Sequence, residues 1–186
     1  MKLIAGLGNH GKQYENTRHN MGYMFADHLA ASLKLKFKKA DRAQSATGEI
    51  SGQKFILLKP ETYMNLSGTA VAPVAAYKKI IVPDILIVHD DIDLPELEIR
   101  IKKGGGDGGH NGLKSITEAL GDNGYIRVRI GVSRPENPAY DTADWVLGKL
   151  PEEKLPELEE KFRAIEKFVS DWLAEGYDRA ASRFKA

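Results

Sequence analysis

The chain has 186 residues, 42% of them hydrophobic, enough for one domain with a substantial core, and no linker separates two halves. Lys and Arg number 27 against 26 Asp and Glu, which excludes a global basic field, so any nucleic-acid contact must come from a local patch. Cysteine is absent, which excludes disulfides, thiolate zinc sites and cysteine nucleophiles together and agrees with a reducing cytoplasm. No apolar run approaches the roughly 18 residues of a membrane span. Met1-Lys2-Leu3-Ile4 enters a strand directly, so the expectation is a soluble cytoplasmic protein with no membrane partner.

The opening strand, Leu3-Ile4-Ala5, runs into Gly6-Leu7-Gly8-Asn9-His10-Gly11. These glycines match the Gly-x-Gly-x-x-Gly spacing of a dinucleotide-binding turn, which requires a helix to begin at the last of them. Lys12 to Asn16 has no apolar period, so that reading fails and the glycines are left as tight turns. A polar run through Tyr14 leads to Thr17-Arg18-His19-Asn20, after which Met21, Met24, Phe25, Leu29 and Leu33 recur at helical spacing. Asn20 is the expected N-cap of a helix over 20–33. His19 then stands just outside the helix start, where the positive helix end disfavours imidazolium and keeps the ring basic near pH 7.

Residues 34–50 mix basic and small polar side chains and read as one or two edge strands. Lys54 to Lys59 is a buried strand stopped by Pro60. Glu61-Thr62-Tyr63-Met64-Asn65-Leu66-Ser67-Gly68 forms a polar loop before a helix through Val71, Val74, Ala75 and Lys78. Ile85-Leu86-Ile87-Val88 is wholly apolar, as a central parallel strand buried on both faces should be. It ends in His89-Asp90-Asp91-Ile92-Asp93, and the carboxyl ends of strands are where ligand crevices form in open α/β sheets.

Leu97 to Lys103 alternates, so Arg100 and Lys102 project side by side. The glycine run Gly104 to Gly109, broken by Asp107, leads into His110-Asn111-Gly112 and a helix through Leu113, Ile116 and Leu120. Lys114-Ser115 invites comparison with a phosphate-binding P-loop, but Leu113 stands where a glycine is needed, and the run is left as a flexible connector or a gate. The strand Tyr125 to Val132 places Arg127 and Arg129 on one face. Pro135 and Pro138 mark a surface loop, and Trp145-Val146-Leu147 starts the final helical region. From Pro151 an amphipathic helix carries Leu155, Leu158, Phe162, Ile165, Phe168, Val169 and Trp172 and ends near Gly176, followed by a basic tail of Arg179, Arg183 and Lys185. Strands and helices alternate, so the expected fold is α/β, a single three-layer α/β/α domain over 1–186 with a twisted mixed sheet flanked by helices.

The loops and strand ends hold His10, His19, His89 and His110, whereas His28 lies inside a helix as a packed or surface residue. Residue chemistry alone does not choose among those four. His89 to Asp93 with His110 lacks a recognised metal-ligand spacing, so no metal and no cofactor is expected. One carboxylate of that segment is better used to orient a histidine through its Nδ1 proton. No Gly-x-Ser-x-Gly elbow supplies a nucleophile, so any hydrolysis proceeds by direct attack of water. Asn9, Asn20, Asn65 and Asn111 cluster beside these loops, and neutral amides that both donate and accept suit a peptide-like ligand.

Taken together, the motifs resemble bacterial peptidyl-tRNA hydrolase. The resemblance rests on Gly6-Leu7-Gly8-Asn9, Thr17-Arg18-His19-Asn20, Lys59-Pro60-Glu61-Thr62-Tyr63-Met64-Asn65-Leu66-Ser67-Gly68, His89-Asp90-Asp91-Ile92-Asp93-Leu94-Pro95, Gly104 through Leu113, and Arg129-Ile130-Gly131, in that order over nearly the whole chain. It implies a cytoplasmic monomer that recycles tRNA by hydrolysing the ester between a peptide and the 3′ ribose. By resemblance His19 is the catalytic base, Asp90 its partner, and Asn9, Asn65 and Asn111 the positioning amides, with Asn9 or Asn65 stabilising the oxyanion. Tyr14, Met64 and His110 then line the cleft, and Arg100, Lys102 and Arg129 contact tRNA. Two positions depart from the family pattern: the turn Pro95-Glu96-Leu97-Glu98 lacks a glycine, and Asp107 puts an acid in the glycine run. The alternatives are a noncatalytic RNA-binding protein on the same scaffold and a metal-dependent peptidase or phosphoesterase.

Overall fold

Residues Lys2–Gly6, apolar after the lysine, form strand β1, which sits in the middle of a seven-stranded sheet of order β2-β3-β4-β1-β5-β7-β6. A computed structural model describes residues 1–185 of the chain. The remaining strands are β2 (Lys38–Ala40), β3 (Ala43–Ile50), β4 (Gln53–Pro60), β5 (Ile85–Asp91), β6 (Ile99–Lys103) and β7 (Ile126–Gly131). β4, β1, β5 and β7 run parallel, while β2 and β3 at one edge and β6 at the other run antiparallel to their neighbours. The sheet is therefore mixed, as expected. Of the segment 34–50, only β2 is an edge strand; β3 is interior, paired with β2 and β4.

Successive side chains of a strand point to opposite faces, and both faces of this sheet are apolar. Ile4, Leu86, Val88 and Val128 pack against Phe25 and Leu29 of α1 (Met21–Ser32) and Phe162, Ile165, Val169 and Trp172 of α5 (Leu155–Glu175). Leu3, Ala5, Leu58 and Ile87 pack on the other side, against Val71 and Ala75 of α2 (Gly68–Tyr77) and Leu113 and Ile116 of α3 (Asn111–Leu120). The layers are thus helix, sheet, helix. The final helical region comprises a short α4 (Thr142–Leu147), α5 and α6 (Tyr177–Arg183). The expected basic tail is mostly helix α6, in which Arg179 and Arg183 pair with Glu175 at 3.6 and 2.6 Å.

The chain leaves β1 for β4 on one side and β5 on the other, which makes the carboxyl end of β1 a topological switch point, the place where such sheets open a crevice. Close approach of α1 narrows the spacing there. A Cβ on Gly22 would lie 2.2 Å from both Leu7 N and Val88 O, and one on Gly6 would lie 2.0 Å from Gly22 O. Gly6 is therefore required by helix-on-strand contact and not by a tight turn. This contact seats the one-turn 3-10 helix Arg18–Asn20, and with it His19, directly over the ends of β1 and β5. In the 95–98 turn, which lacks a glycine, Leu97 adopts φ 61, and its 1% exposed side chain offsets the strain by burial in the core.

Candidate active site

Asp90 ends the apolar run of β5 with its side chain only 2% exposed, at the floor of a cavity of about 480 Å³ over the carboxyl ends of β1, β4 and β5. Its carboxylate receives two imidazoles. His19 Nδ1 lies 2.9 and 3.0 Å from the two carboxylate oxygens, and His110 Nε2 lies 3.0 Å from Oδ1.

The tautomers follow from the other ring nitrogens. His110 is the N-cap of α3, and its Nδ1 accepts from the backbone N–H of Gly112 at 3.1 Å and Leu113 at 3.4 Å. The neutral ring must therefore carry its proton on Nε2, where it donates to Asp90. His19 donates from Nδ1 to Asp90, which leaves Nε2 unprotonated at the cavity wall.

Burial alone would raise the Asp90 carboxyl, but the two imidazoles outweigh it and hold the group far below the usual carboxylate range. Burial likewise opposes charging of His19, yet the charge and hydrogen bond of Asp90 outweigh it, and its pKa lies above the ordinary 6.5. The helix-end argument for a disfavoured imidazolium is thus overturned. A carboxylate in hydrogen-bond contact acts more strongly than a helix end.

Asn9 is 8% exposed, and its Oδ1 accepts from the Met64 N–H at 3.0 Å. That bond directs the amide NH₂ to the remaining side, toward the cavity that Asn9 lines. Asn20 secures the arrangement. Contrary to expectation its side chain does not cap α1; its Oδ1 accepts from Asn9 N at 2.8 Å and its Nδ2 donates to Asn9 O at 3.0 Å.

Met64, Asn65 and Asn111 also line the cavity, whereas Tyr14, expected there, is not among the lining residues and belongs to the 3-10 turn Lys12–Tyr14. The other histidines separate clearly. His10 is exposed and 3.5 Å from Glu61, and His28 bridges Glu159 and Glu166 on the surface of α5. His89 is buried, donates from Nδ1 to Asp90 O at 2.6 Å, and is pushed down to about 3 by burial and by His110 beside it.

The profile of the family described as peptidyl-tRNA hydrolase matches residues 3–186. The chain belongs to that family. The peptidyl-tRNA hydrolase of Desulfitobacterium hafniense (strain Y51) is 44% identical over 184 residues, 99% of each chain. That of Bacillus subtilis (strain 168) is 44% identical over 170 residues, 91% of this chain and 88% of its own. The crystal structure of peptidyl-tRNA hydrolase from Acinetobacter baumannii superposes with a TM-score of 0.88 at 38% identity, covering all of this chain and 95% of that one.

Family membership leaves the rest of the cavity to be read from geometry. Among the described residues, His19, Asp90 and His110 are the one grouping whose donor atoms lie within 4.8 Å of one another and so could take a metal ion. It shares Asp90 and His110 with the cluster weighed from sequence and takes His19 in place of His89, Asp91 and Asp93. Because Asp90 Oδ1 accepts from both imidazoles, the same atoms serve equally as a hydrogen-bonded relay.

This peptidyl-tRNA hydrolase family member also has an apolar wall that sequence reading missed, made by Ile92 with Ala143, Val146 and Leu147 of α4. No local pattern marks those residues, since α4 reaches the site only by tertiary packing. Arg18 stacks on Trp145 at 3.8 Å and donates to Lys149 O at 3.1 Å, while Trp145 Nε1 donates to Ser133 O at 2.9 Å. Arg18, the residue before His19, thereby holds α4 beside the cavity.

On β6 and β7, Arg100 stands opposite Arg129 and Lys102 opposite Arg127, as the alternation required. Arg100 is exposed but paired with Glu98 at 2.6 Å, and Arg129 is held by Asp91 at 2.7 Å. Lys102 forms no ion pair among the described residues. Asp107 caps its own loop, accepting from Gly109 N at 2.8 Å.

Proposed function

We propose that the chain hydrolyses the ester between a peptide, or an N-blocked amino acid, and the 3′ ribose of tRNA, with water activated by His19. The observation that carries this reading is a histidine held through Nδ1 by both oxygens of a buried carboxylate, its Nε2 left for the cavity. Water attacks the ester carbonyl as His19 Nε2 takes its proton, and the carbonyl electrons move to oxygen. The Asn9 amide, oriented by Met64 and Asn20, donates to that oxyanion; of the candidate asparagines it alone is buried and locked. Collapse breaks the bond to the ribose 3′ oxygen, which takes the proton back from imidazolium, releasing a carboxylic acid and tRNA. His110 supports the ionised Asp90, and Asn65 and Asn111 bind the first peptide group.

Arg100, Lys102 and Arg129 neutralise tRNA phosphates without reading bases. The chain acts as a single-domain monomer in the cytoplasm; the one continuous sheet supports the single domain.

The test is incubation with N-acetyl-aminoacyl-tRNA in the presence of a chelator. Release of the N-acetyl amino acid at the rate seen without chelator is the expected outcome. Loss of activity that returns with a divalent ion would instead favour a metal held by His19, Asp90 and His110. Arg100→Ala with Lys102→Ala should raise KM on intact tRNA while sparing a short N-acyl ester, and should flatten the log-log salt slope by about 0.7 per lost contact. Equal losses on both substrates would count against a tRNA patch.

A further inference from the structure

We infer that Arg127 is a positioning residue that latches the Gly104–Gly109 loop to the sheet and so sets the place of His110; the consequence for activity rests on the hydrolase reading. Arg127 projects from β7 opposite Lys102 and is 4% exposed. Its guanidinium donates to Gly106 O at 2.6 Å and to Gly104 O, its Nε is buried without a partner, and it forms no ion pair among the described residues. A buried cation whose only hydrogen-bond partners are two carbonyls of a glycine-rich loop stabilises the loop in that position strongly, because opening the loop leaves the cation unpaired.

The loop has little else to hold it. A Cβ added at Gly106, Gly108 or Gly109 would meet no atom within 4 Å. Beyond Arg127, its bonds are one from Gly104 N to Tyr125 O at 3.0 Å and the internal turn on Asp107. At Gly105, φ is 101 and a Cβ would stand 2.5 Å from Arg127 Nη2 and 3.0 Å from Lys102 Nζ, so the chain wraps the guanidinium as closely as only glycine allows. The far end of the loop is His110, whose N–H bonds Asp107 O at 3.0 Å and whose ring bonds Asp90. Asp107, Gly108 and Gly109 line the cavity itself.

Hydrogen exchange and kinetics of Arg127→Met and Arg127→Lys, each against the wild-type chain, test this. Methionine keeps an unbranched, though shorter, side chain and removes the charge, so no unpaired cation is left to destabilise the fold. Amides of 105–110 should exchange about tenfold faster or more in Arg127→Met, as expected for loss of charged hydrogen bonds, with β1, β5 and α1 unchanged. KM for N-acetyl-aminoacyl-tRNA should rise by roughly the same factor, and Arg127→Lys should be intermediate. Unchanged loop exchange overturns the latch, as does faster exchange spread over the whole sheet, which marks a general structural role. Should Arg127→Met fail to fold, the same readings on Arg127→Lys decide. Exchange is measured without substrate, so its failure counts against Arg127 alone, and failure of the wild-type chain to cleave counts against the hydrolase reading alone.

Discussion

His19→Ala is expected to lower kcat on N-acetyl-aminoacyl-tRNA by about 10²- to 10⁴-fold, the usual contribution of a positioned general base. The methyl side chain leaves Asn9, Met64 and the α4 wall in place, so KM should change far less than kcat. Asp90→Asn tests the same unit from its other end. An asparagine offers one acceptor oxygen where two imidazole N–H groups now converge, and its NH₂ would face one of them donor to donor. The pH dependence has a definite sign. His19 works only when neutral, and Asp90 raises its pKa above 6.5, so kcat/KM should fall as pH drops through a value above that of a free histidine. In Asp90→Asn both raising influences vanish while burial, which lowers the pKa, remains. The acid limb should therefore move to lower pH even as the rate falls. A limb that stays put in Asp90→Asn, or a His19→Ala variant with full turnover, would remove the pair from the mechanism.

The second large effect is discrimination against a free amine. Aminoacyl-tRNA should be cleaved far more slowly than its N-acetyl form, by as much as about 10⁵-fold if the site's hydrogen-bonding groups are left unpaired. Asn65 and Asn111 offer donors and acceptors to a peptide group, whereas an α-ammonium accepts nothing and must shed its hydration. Of the two carboxylates besides Asp90 that line the cavity, Asp91 is neutralised by Arg129 at 2.7 Å, and Asp107 is exposed with Oδ1 on Gly109 N at 2.8 Å. Initial rates on a matched pair of substrates measure the ratio, and comparable rates would refute the amide-recognition role. Asn65→Ala and Asn111→Ala should each narrow it.

Several local features were readable before any tertiary information. The wholly apolar run of residues 85–88 identified a strand buried on both faces, and the alternation of 97–103 placed Arg100 and Lys102 on one side. The polar stretch 61–68 and the glycine run marked the loops that line the cavity. Such signals are legible because the period of burial along a segment is set by its own backbone geometry.

The sequence by itself determined the alternation of elements, the strand-end location of the chemistry and, through the order of its motifs, the family. The tertiary structure decided the rest. It brought His19 onto a carboxylate 71 residues away and added His110 as a second donor to the same oxygen. It dismissed Tyr14 from the cavity, supplied Val146 and Leu147 of α4 in its lining, and reversed the sign expected for His19's titration. The reason is common to all of these. Strand order and register determine which distant residues meet, and neither is encoded in the spacing of neighbours along a single segment.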